Sequence, residues 1–313
     1  MLNRQQHNEA SNTSLRSSYY AWLWVLAVLT AGGTAANAQN APEGTKRPDE
    51  PPPDKSIYNL FNPTSHDLMR EMSTDRPDQT ESPYTVDAGH FQVEMDLVNA
   101  TFDRDRSGGG DVRTTGWGTS LNLKAGLLNN VDIQFVIDPY VSEKTDNRGD
   151  GTVTRASGFG DLQTRLKINL WGNDGGKTAF GIMPFIKWPL VGNSLRNGKI
   201  EGGVIFPLGV ELPAGWGMGA QTEFDFVSDA TGGYDVEYFN TITFGHDIAG
   251  NLGGYVEFAA LVTPESGEDW QGQASVGFTY GFNENTQLDF GCNFGVTQSA
   301  PDFNPFVGLS FRF

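Results

Sequence analysis

The sequence predicts an all-β protein, an antiparallel transmembrane β-barrel of about twelve strands. Three observations support this fold class: apolar and polar residues alternate along most of the chain, short and long joints separate the alternating segments in turn, and the chain ends in an aromatic strand. Strands of outer-membrane barrels alternate between a lipid-facing apolar side and a lumen-facing polar side. Segments of about 10–14 residues also suit a tilted membrane crossing better than the ~5–6-residue strands of soluble proteins.

The first 38 residues predict a signal peptide that is removed on export. Arg4 and Arg16 precede the apolar stretch 21–31, and the small residues Ala36 and Ala38 predict cleavage near Ala38. The alternative is a membrane-anchoring helix. An 11-residue stretch is about 16 Å long as a helix, however, and the hydrocarbon core is ~30 Å thick. Residues 39–57 are rich in Pro and charge, and they predict a disordered linker.

Residues 58–88 predict a polar segment before the barrel, and residues 89–313 predict the barrel itself. In the first strand Phe91, Val93 and Met95 alternate with polar residues, as expected of a strand with one apolar face. Short joints alternate with longer polar joints, which predicts short periplasmic turns and longer extracellular loops. The predicted strands are 89–103, 114–128, 131–142, 158–172, 177–190, 201–212, 216–228, 236–247, 252–263, 270–281, 286–297 and 304–313.

Composition excludes several other classes. The chain has 21 basic and 38 acidic side chains, so it cannot form the basic face that a nucleic-acid-binding protein requires. Cys292 is the only cysteine, which excludes an internal disulfide and a multi-cysteine zinc site. No Ser-His-acid set can be placed around His66, His90 or His246. Residues 146–151 resemble a calcium loop but have Arg148 at a ligand position. We therefore predict no enzyme activity, catalytic residue, metal or cofactor.

Three motifs resemble one family of outer-membrane barrels. They are Ser73–Val86 running into Gly89–Glu94, Gly158–Leu162 before the fourth strand, and Ile205–Pro213 followed by Gly215-Trp216. Together they resemble the barrel family named for the meta-cleavage pathway of phenol degradation, whose members are often labelled transporters. The likeness covers about residues 58–313. It implies a barrel with a transport role, and it brings no firmly assigned solute and no catalytic residues.

The segment Thr74–Val86 is polar, contains prolines and cannot enter lipid. Asp75, Arg76, Asp78 and Glu81 are placed to pair with one another or with charges in the lumen. We hypothesise that the segment folds into the periplasmic mouth as a plug or constriction. The alternative is a simple periplasmic tether.

The strand phase also predicts which charged side chains face the lumen. Acids outnumber bases there, and the bases are concentrated in the second, fourth and fifth predicted strands. Asp132 would lie between Lys124 and Lys167, where cross-strand pairing is expected. A wet pore with cation preference and a narrow interior filled by paired charges both fit this pattern. The predicted lumen residues include Glu94, Asp96, Lys124, Asp132, Asp138, Asp161, Arg165, Lys167, Lys187, Glu201, Glu211, Glu223, Asp225, Glu237, Glu257, Asp289 and Arg312.

The expected function is a channel or transporter of the cell outer membrane for small solutes. The expected partners are outer-membrane lipid, a small-molecule solute and the barrel-assembly machinery, which would read the terminal Phe313 as an assembly signal. The family resemblance implies aromatic or otherwise apolar solutes. A closed structural or partner-binding barrel is the main alternative, and a soluble periplasmic β-protein is a further one.

Overall fold

The computed structural model describes residues 54–189, 198–229, 231–265 and 269–313. The predicted signal peptide and most of the predicted linker lie outside these residues. Strands are the main regular structure of the described chain, which also has three short 3₁₀ turns at His66–Leu68, Ser107–Gly109 and Pro213–Gly215. Within it, none of the helical segments has the length and apolar character that a membrane-crossing helix needs.

Thirteen β-segments follow one another along the described residues. They are β1 (Phe91–Asp105), β2 (Val112–Leu128), β3 (Val131–Asn147), β4 (Thr152–Gly158), β5 (Leu162–Trp171), β6 (Thr178–Trp188), β7 (Glu201–Glu211), β8 (Trp216–Ser228), β9 (Tyr234–Ala249), β10 (Leu252–Val262), β11 (Gln271–Asn283), β12 (Thr286–Gly295) and β13 (Phe303–Arg312).

Every neighbouring pair in the sheet is antiparallel, and the sheet closes on itself because β1 pairs with both β2 and β13. β4 and β5 both pair with β3 and form one interrupted crossing. The interruption lies at Gly160, where an added Cβ would be 1.8 Å from the Asp138 Cβ. The described residues therefore form a closed barrel of twelve antiparallel crossings, which confirms the predicted fold class.

The predicted alternation is visible in the burial of side chains along the strands. On β1, Gln92 and Glu94 are each 1% exposed, whereas Phe91 and Leu97 on the other face are 42% and 48% exposed. Polar side chains thus face the interior and apolar ones face outward, as membrane barrels require. We call the end with the short turns, such as 129–130 and 250–251, the periplasmic end by the same rule.

The predicted long loop at 143–157 is wrong. β3 continues to Asn147 and β4 begins at Thr152, so that only residues 148–151 turn. The pairing runs unbroken from Ser142↔Ser157 to Asn147↔Thr152. Most side chains on both faces of this hairpin are polar, and the strand therefore lacks the one-sided apolar pattern by which strands are recognised in sequence.

The chain end closes the seam between β1 and β13. Phe313 lies just beyond β13, and its backbone exchanges two hydrogen bonds of 2.9 Å with Phe91. The two rings stack with centroids 5.8 Å apart, and Phe313 remains 66% exposed. The terminal aromatic side chain is thus at the outer surface of the periplasmic end.

Candidate functional site

Residues 70–87, which we call the plug segment, lie inside the lumen. Their backbone N–H groups donate to side chains on opposite walls: Val86 to Asp132 on β3 at 3.0 Å, and Glu81 to Gln221 on β8 at 2.7 Å. Hydrogen bonds from the segment also reach β1, β2, β5, β9, β10, β11, β12 and β13. The segment therefore crosses the interior of the barrel.

Part of the plug segment closes into a loop between Ser73 and Ser82. The two hydroxyl oxygens are 2.6 Å apart, and the Ser82 N–H donates to the Asp75 carboxylate at 3.0 Å. We divide this loop into an anchored arm, residues 74–77, and a tip, residues 78–81. The two parts contact the barrel wall in different ways.

Asp75 is the centre of the anchored arm. Its carboxylate accepts a hydrogen bond of 2.5 Å from Lys124 Nζ of β2 and also contacts Lys167 Nζ of β5. Its backbone N–H donates to the Glu94 carboxylate. The Asp75 side chain is 4% exposed. Burial opposes its ionisation, but the two ammonium groups outweigh that effect and hold the pKa of Asp75 well below its usual range.

Arg76 ties the anchored arm to the closing seam of the barrel. Its guanidinium forms two parallel hydrogen bonds to Asp289 on β12, at 2.9 and 3.2 Å, and also contacts Asp96 on β1. These two strands flank β13, so Arg76 spans the strand that closes the barrel. Bidentate pairing of this kind fixes geometry as well as contributing energy.

The tip is held mainly by hydrogen bonds to one carboxylate of β10. The backbone N–H groups of Gln79 and Thr80 donate to Glu257 at 3.0 and 2.9 Å, and the Thr80 hydroxyl donates to the same group at 2.7 Å. The Thr80 and Thr241 hydroxyl oxygens are 2.6 Å apart. These contacts orient the tip without neutralising Glu257.

The tip also carries two acids with little compensation. Glu81 accepts one hydrogen bond from Arg165 of β5 at 2.6 Å, and its buried Oε2 has no hydrogen-bond partner among the described residues. Burial and the charge of Asp75 raise the pKa of Glu81 to about 7. Burial and the nearby Glu257 carboxylate raise the pKa of Asp78 as well.

The base of the plug segment is fixed by a second charged network at the periplasmic end. Arg70 pairs with Asp87 at 3.4 Å and with Asp174 at 3.0 Å, and Arg312 of β13 donates to the Arg70 carbonyl at 2.8 Å. Lys55 is 6% exposed and lies 2.8 Å from Asp174. The predicted linker therefore extends too far, because Lys55 already belongs to the packed structure.

Several wall glycines leave room for the plug segment. An added Cβ at Gly308 of β13 would lie 2.2 Å from Arg76 Nη2, and one at Gly126 of β2 would lie 2.0 Å from the Asp87 carbonyl oxygen. At Gly219 of β8 the nearest plug atom, Thr80 Cγ2, would be 3.1 Å away. The backbone of the wall can therefore approach the plug closely only where a side chain is missing.

Three of the cavities among the described residues lie beside the plug or beyond it. An outer cavity of about 450 Å³ is bounded by β1–β3 and includes Asp96 and Ser120. A middle cavity of about 130 Å³ shares Ser120 with it and is also lined by Glu81 and Arg165. A periplasmic cavity of about 450 Å³ lies against β7–β11 and is lined by Glu81 and Tyr84. Glu81 thus lines both the middle and the periplasmic cavities.

The predicted lumen residues lie on the inner face, where the plug reaches only some of them. Glu94, Asp96, Lys124, Asp132, Arg165 and Lys167 contact plug residues. Lys187 instead pairs with Glu201 at 2.9 Å and with Asp161 at 3.5 Å. Glu211 is exposed at the end of β7, beside the periplasmic cavity, and Glu223 accepts from Gln221 at 2.8 Å. Asp225 keeps one buried oxygen without a hydrogen-bond partner among the described residues.

Asp132 lies near Lys124 and Lys167, as the strand phase predicts, but the described ion pairs of both lysines are with other carboxylates. The register places Asp132 opposite Lys167, but both lysines contact Asp75 of the plug segment. Asp132 accepts the Val86 N–H and the Gln134 side-chain amide, each at 3.0 Å. A cross-strand rule considers only the two strands, and the plug carboxylate lies closer to the ammonium groups.

Sequence reasoning missed the neutral side chains that complete the site. Gln134, Asn169, Gln221 and Thr241 all bond to the plug segment, and each lies in the inward phase of its strand. Their inward position in the alternation of each strand was the signal from which they could have been predicted. Among the residues that the structure describes, no group of three or more His, Cys, Asp or Glu side chains is arranged to hold a metal ion.

A closed twelve-crossing barrel with an apolar outer face and a polar segment inside it defines a β-barrel of the outer-membrane type. The chain belongs to the family described as "Putative MetA-pathway of phenol degradation", whose model matches residues 74–313. The matched range begins with the anchored arm, so the plug loop is part of the family pattern. A search of curated proteins gave no match.

One solved structure has the same fold, and two others are reported as more distantly similar. An outer membrane channel from Pseudomonas putida F1 is 12% identical, with a TM-score of 0.55 over 77% of this chain and 100% of that one. The NanC porin is 9% identical, with a TM-score of 0.46 over 71% of this chain and 98% of that one. The CymD monoaromatic hydrocarbon channel is 11% identical, with a TM-score of 0.42 over 71% and 87%.

Proposed function

We propose that this protein is an outer-membrane channel through which small solutes diffuse. The observation that carries the proposal is the series of cavities on both sides of the plug loop, in a barrel whose polar face is turned inward. A barrel of twelve strands is wider than the packed eight-strand type and narrower than sixteen-strand porins. Diffusion past the plug loop needs no covalent step, metal or cofactor.

The proposed solutes are small, and aromatic compounds are among them. The family description connects its members with phenol degradation, and this supports the solute class. The periplasmic cavity offers apolar and aromatic surface for such a molecule, with Tyr84, Met218 and Tyr255 in its lining. Pockets that combine apolar surface with a few polar groups commonly bind small ligands.

The proposed location is the cell outer membrane, with the signal peptide removed near Ala38. The exposed apolar side chains of the outer face, such as Val256 at 53% and Phe258 at 42%, would contact lipid. Phe313, exposed at the periplasmic end, is suited to recognition by the barrel-assembly machinery. No membrane helix is needed for this insertion because the strands pair their own backbone groups.

The test is single-channel recording of the refolded mature barrel in a planar bilayer. We expect discrete conductance steps, and we expect phenol at millimolar concentration to interrupt the current briefly. Cyclohexanol, a non-aromatic alcohol of similar size, is the control for aromatic binding. If neither the folded wild type nor folded variants in which a plug side chain is shortened, such as Glu81→Ala, conduct, a closed structural barrel is supported instead.

A further inference from the structure

We propose that solutes cross the plug loop at Glu81, and that the contact between Glu81 and Arg165 closes this route and selects for cations. The inference rests on the proposed channel function and specifies its path. It commits to one side of the loop, the tip, and to one pair of side chains. The chemical class it favours is small inorganic or organic cations over anions of similar size.

Glu81 lies between the cavities. The outer and middle cavities share Ser120, and the middle and periplasmic cavities share Glu81. A solute that follows this series must pass the Glu81 side chain. Arg165 Nη1 is 2.6 Å from Glu81 Oε1 and also lines the middle cavity. No space for a solute remains between two atoms at that distance.

The contact between Glu81 and Arg165 can open. The anchored arm is held by Lys124, Lys167, Asp96 and Asp289. Among the described residues, Arg165 is the only cationic side chain within 4.0 Å of an acidic side chain of the tip. The side chains of Glu81 and Arg165 are 13% and 15% exposed, whereas those of Asp75, Lys124 and Lys167 are 4%, 2% and 1% exposed. Opening at Glu81 therefore disrupts fewer buried charges than opening at Asp75.

The charged side chains along the route are mainly acidic. The outer cavity includes Asp138 and Glu143, and the periplasmic cavity includes Asp78, Glu211 and Asp247. Neither of these two linings contains Lys or Arg. Arg76 and Arg165 are the only such residues in the described cavity linings, and Arg76 is bound by two carboxylates. Rings of acidic groups favour cations in wet pores.

The experiment compares Glu81→Ala and Arg165→Ala in planar bilayers, with conductance and reversal potential measured in a KCl gradient. We expect both variants to raise conductance at least twofold, because each removes one side of the constriction. We expect opposite shifts in selectivity. Glu81→Ala leaves Arg165 uncompensated and lowers the K⁺ preference, whereas Arg165→Ala leaves Glu81 and raises it. A general loosening of the barrel would shift both variants in the same direction.

Arg104→Ala is the matched control for removing an arginine from an ion pair. Arg104 of β1 pairs with Asp111, just before β2, at 2.7 Å, and neither residue lines the three cavities. We expect its conductance to equal that of the wild type. Heat-modifiability on gels checks that each variant is folded, and Glu81→Gln, which keeps the side-chain size, covers the case in which an alanine variant does not fold. Glu81→Gln should change selectivity with little change in conductance.

The outcomes separate this inference from the channel function. A conducting wild type with unchanged values in folded Glu81→Ala and Arg165→Ala barrels overturns the route and leaves the channel. A silent wild type with conducting variants supports the route as a closed gate. Silence in all folded variants overturns both.

Discussion

The two parts of the plug loop are adjacent in sequence and differ in how they are held. The anchored arm places Asp75 between two lysines and Arg76 between two aspartates, all of them largely buried. The tip places Asp78 near Glu257, which also accepts from the backbone of Gln79. Paired opposite charges therefore fix the anchored arm, whereas the tip has the Glu81–Arg165 ion pair and is otherwise oriented by hydrogen bonds around like charges.

The difference shows how one segment can both fill a barrel and leave a path through it. Removing one partner from a buried ion pair is costly because the remaining charge is left without compensation. Removing one of two like charges carries no such cost. The anchored arm is thus suited to hold the segment in place, and the tip is suited to move.

The largest effect should follow from Asp75→Asn. The change keeps the shape of the side chain but leaves Lys124 and Lys167 without the carboxylate they share. We expect the free energy of unfolding to fall by about 3–5 kcal/mol, the usual range for breaking a buried ion pair. Urea unfolding in lipid vesicles, followed by tryptophan fluorescence, measures the change.

Asp78→Asn is the matched control, since it makes the same chemical change three residues away. It removes a charge that faces Glu257, and the amide can still accept from the Thr243 hydroxyl. The free energy of unfolding should stay constant or rise. If the two asparagine variants lose equal stability, the contrast between anchored arm and tip is lost.

A smaller effect is expected from Gly308→Ala, which tests the anchored arm from the side of the wall. The new Cβ would lie 2.2 Å from Arg76 Nη2, so the guanidinium must leave its place between Asp96 and Asp289. Overpacking of this kind costs about 1–3 kcal/mol. Gly217→Ala is the control, because no atom lies within 4 Å of its Cβ position. Equal unfolding midpoints for the two variants would show that Arg76 is not held as described.

The strands could be predicted from the sequence because lipid outside and polar side chains inside impose a period of two. The constraint does not apply to strands that extend beyond the lipid on the extracellular side. The hairpin of β3 and β4 was therefore not predicted. The same rule identified the inward phase of Lys124, Lys167 and Asp132, since phase depends only on the strand to which a residue belongs.

The partners of those residues could not be predicted in the same way. Asp75 reaches Lys124 and Lys167 only after residues 70–87 have entered the lumen, and no local pattern encodes that path. The polar character and prolines of the segment indicated only that it avoids lipid. A plug inside the lumen and a periplasmic tether both satisfy that condition. The glycines opposite the plug, such as Gly126 and Gly308, mark places where plug atoms approach the wall closely. This meaning cannot be read from the sequence until the approaching atoms are known.

The last effect is a pH dependence of stability that arises at the tip, where Glu81 titrates close to neutral pH. Burial and Asp75 raise the pKa of Glu81 to about 7, from 4.5. The groups that face it are Asp75 and Asp78 of the loop, Lys124 of β2, Arg165 and Lys167 of β5, and Glu223 of β8. Between pH 4.5 and about pH 7, Glu81 is protonated in the folded protein but ionised in the unfolded chain. The free energy of unfolding therefore falls as pH rises through this range.

Glu81→Gln isolates this contribution because glutamine cannot titrate. The variant should lose less stability than the wild type between pH 5 and pH 8, measured as the difference in urea midpoint. Asp75 contributes nothing to the slope in this range: its pKa is depressed, so its stabilisation is present above the ordinary value near 4 and is lost only at lower pH. An unchanged slope in Glu81→Gln would mean that Arg165 compensates the Glu81 charge fully. The tip would then be as firmly paired as the anchored arm.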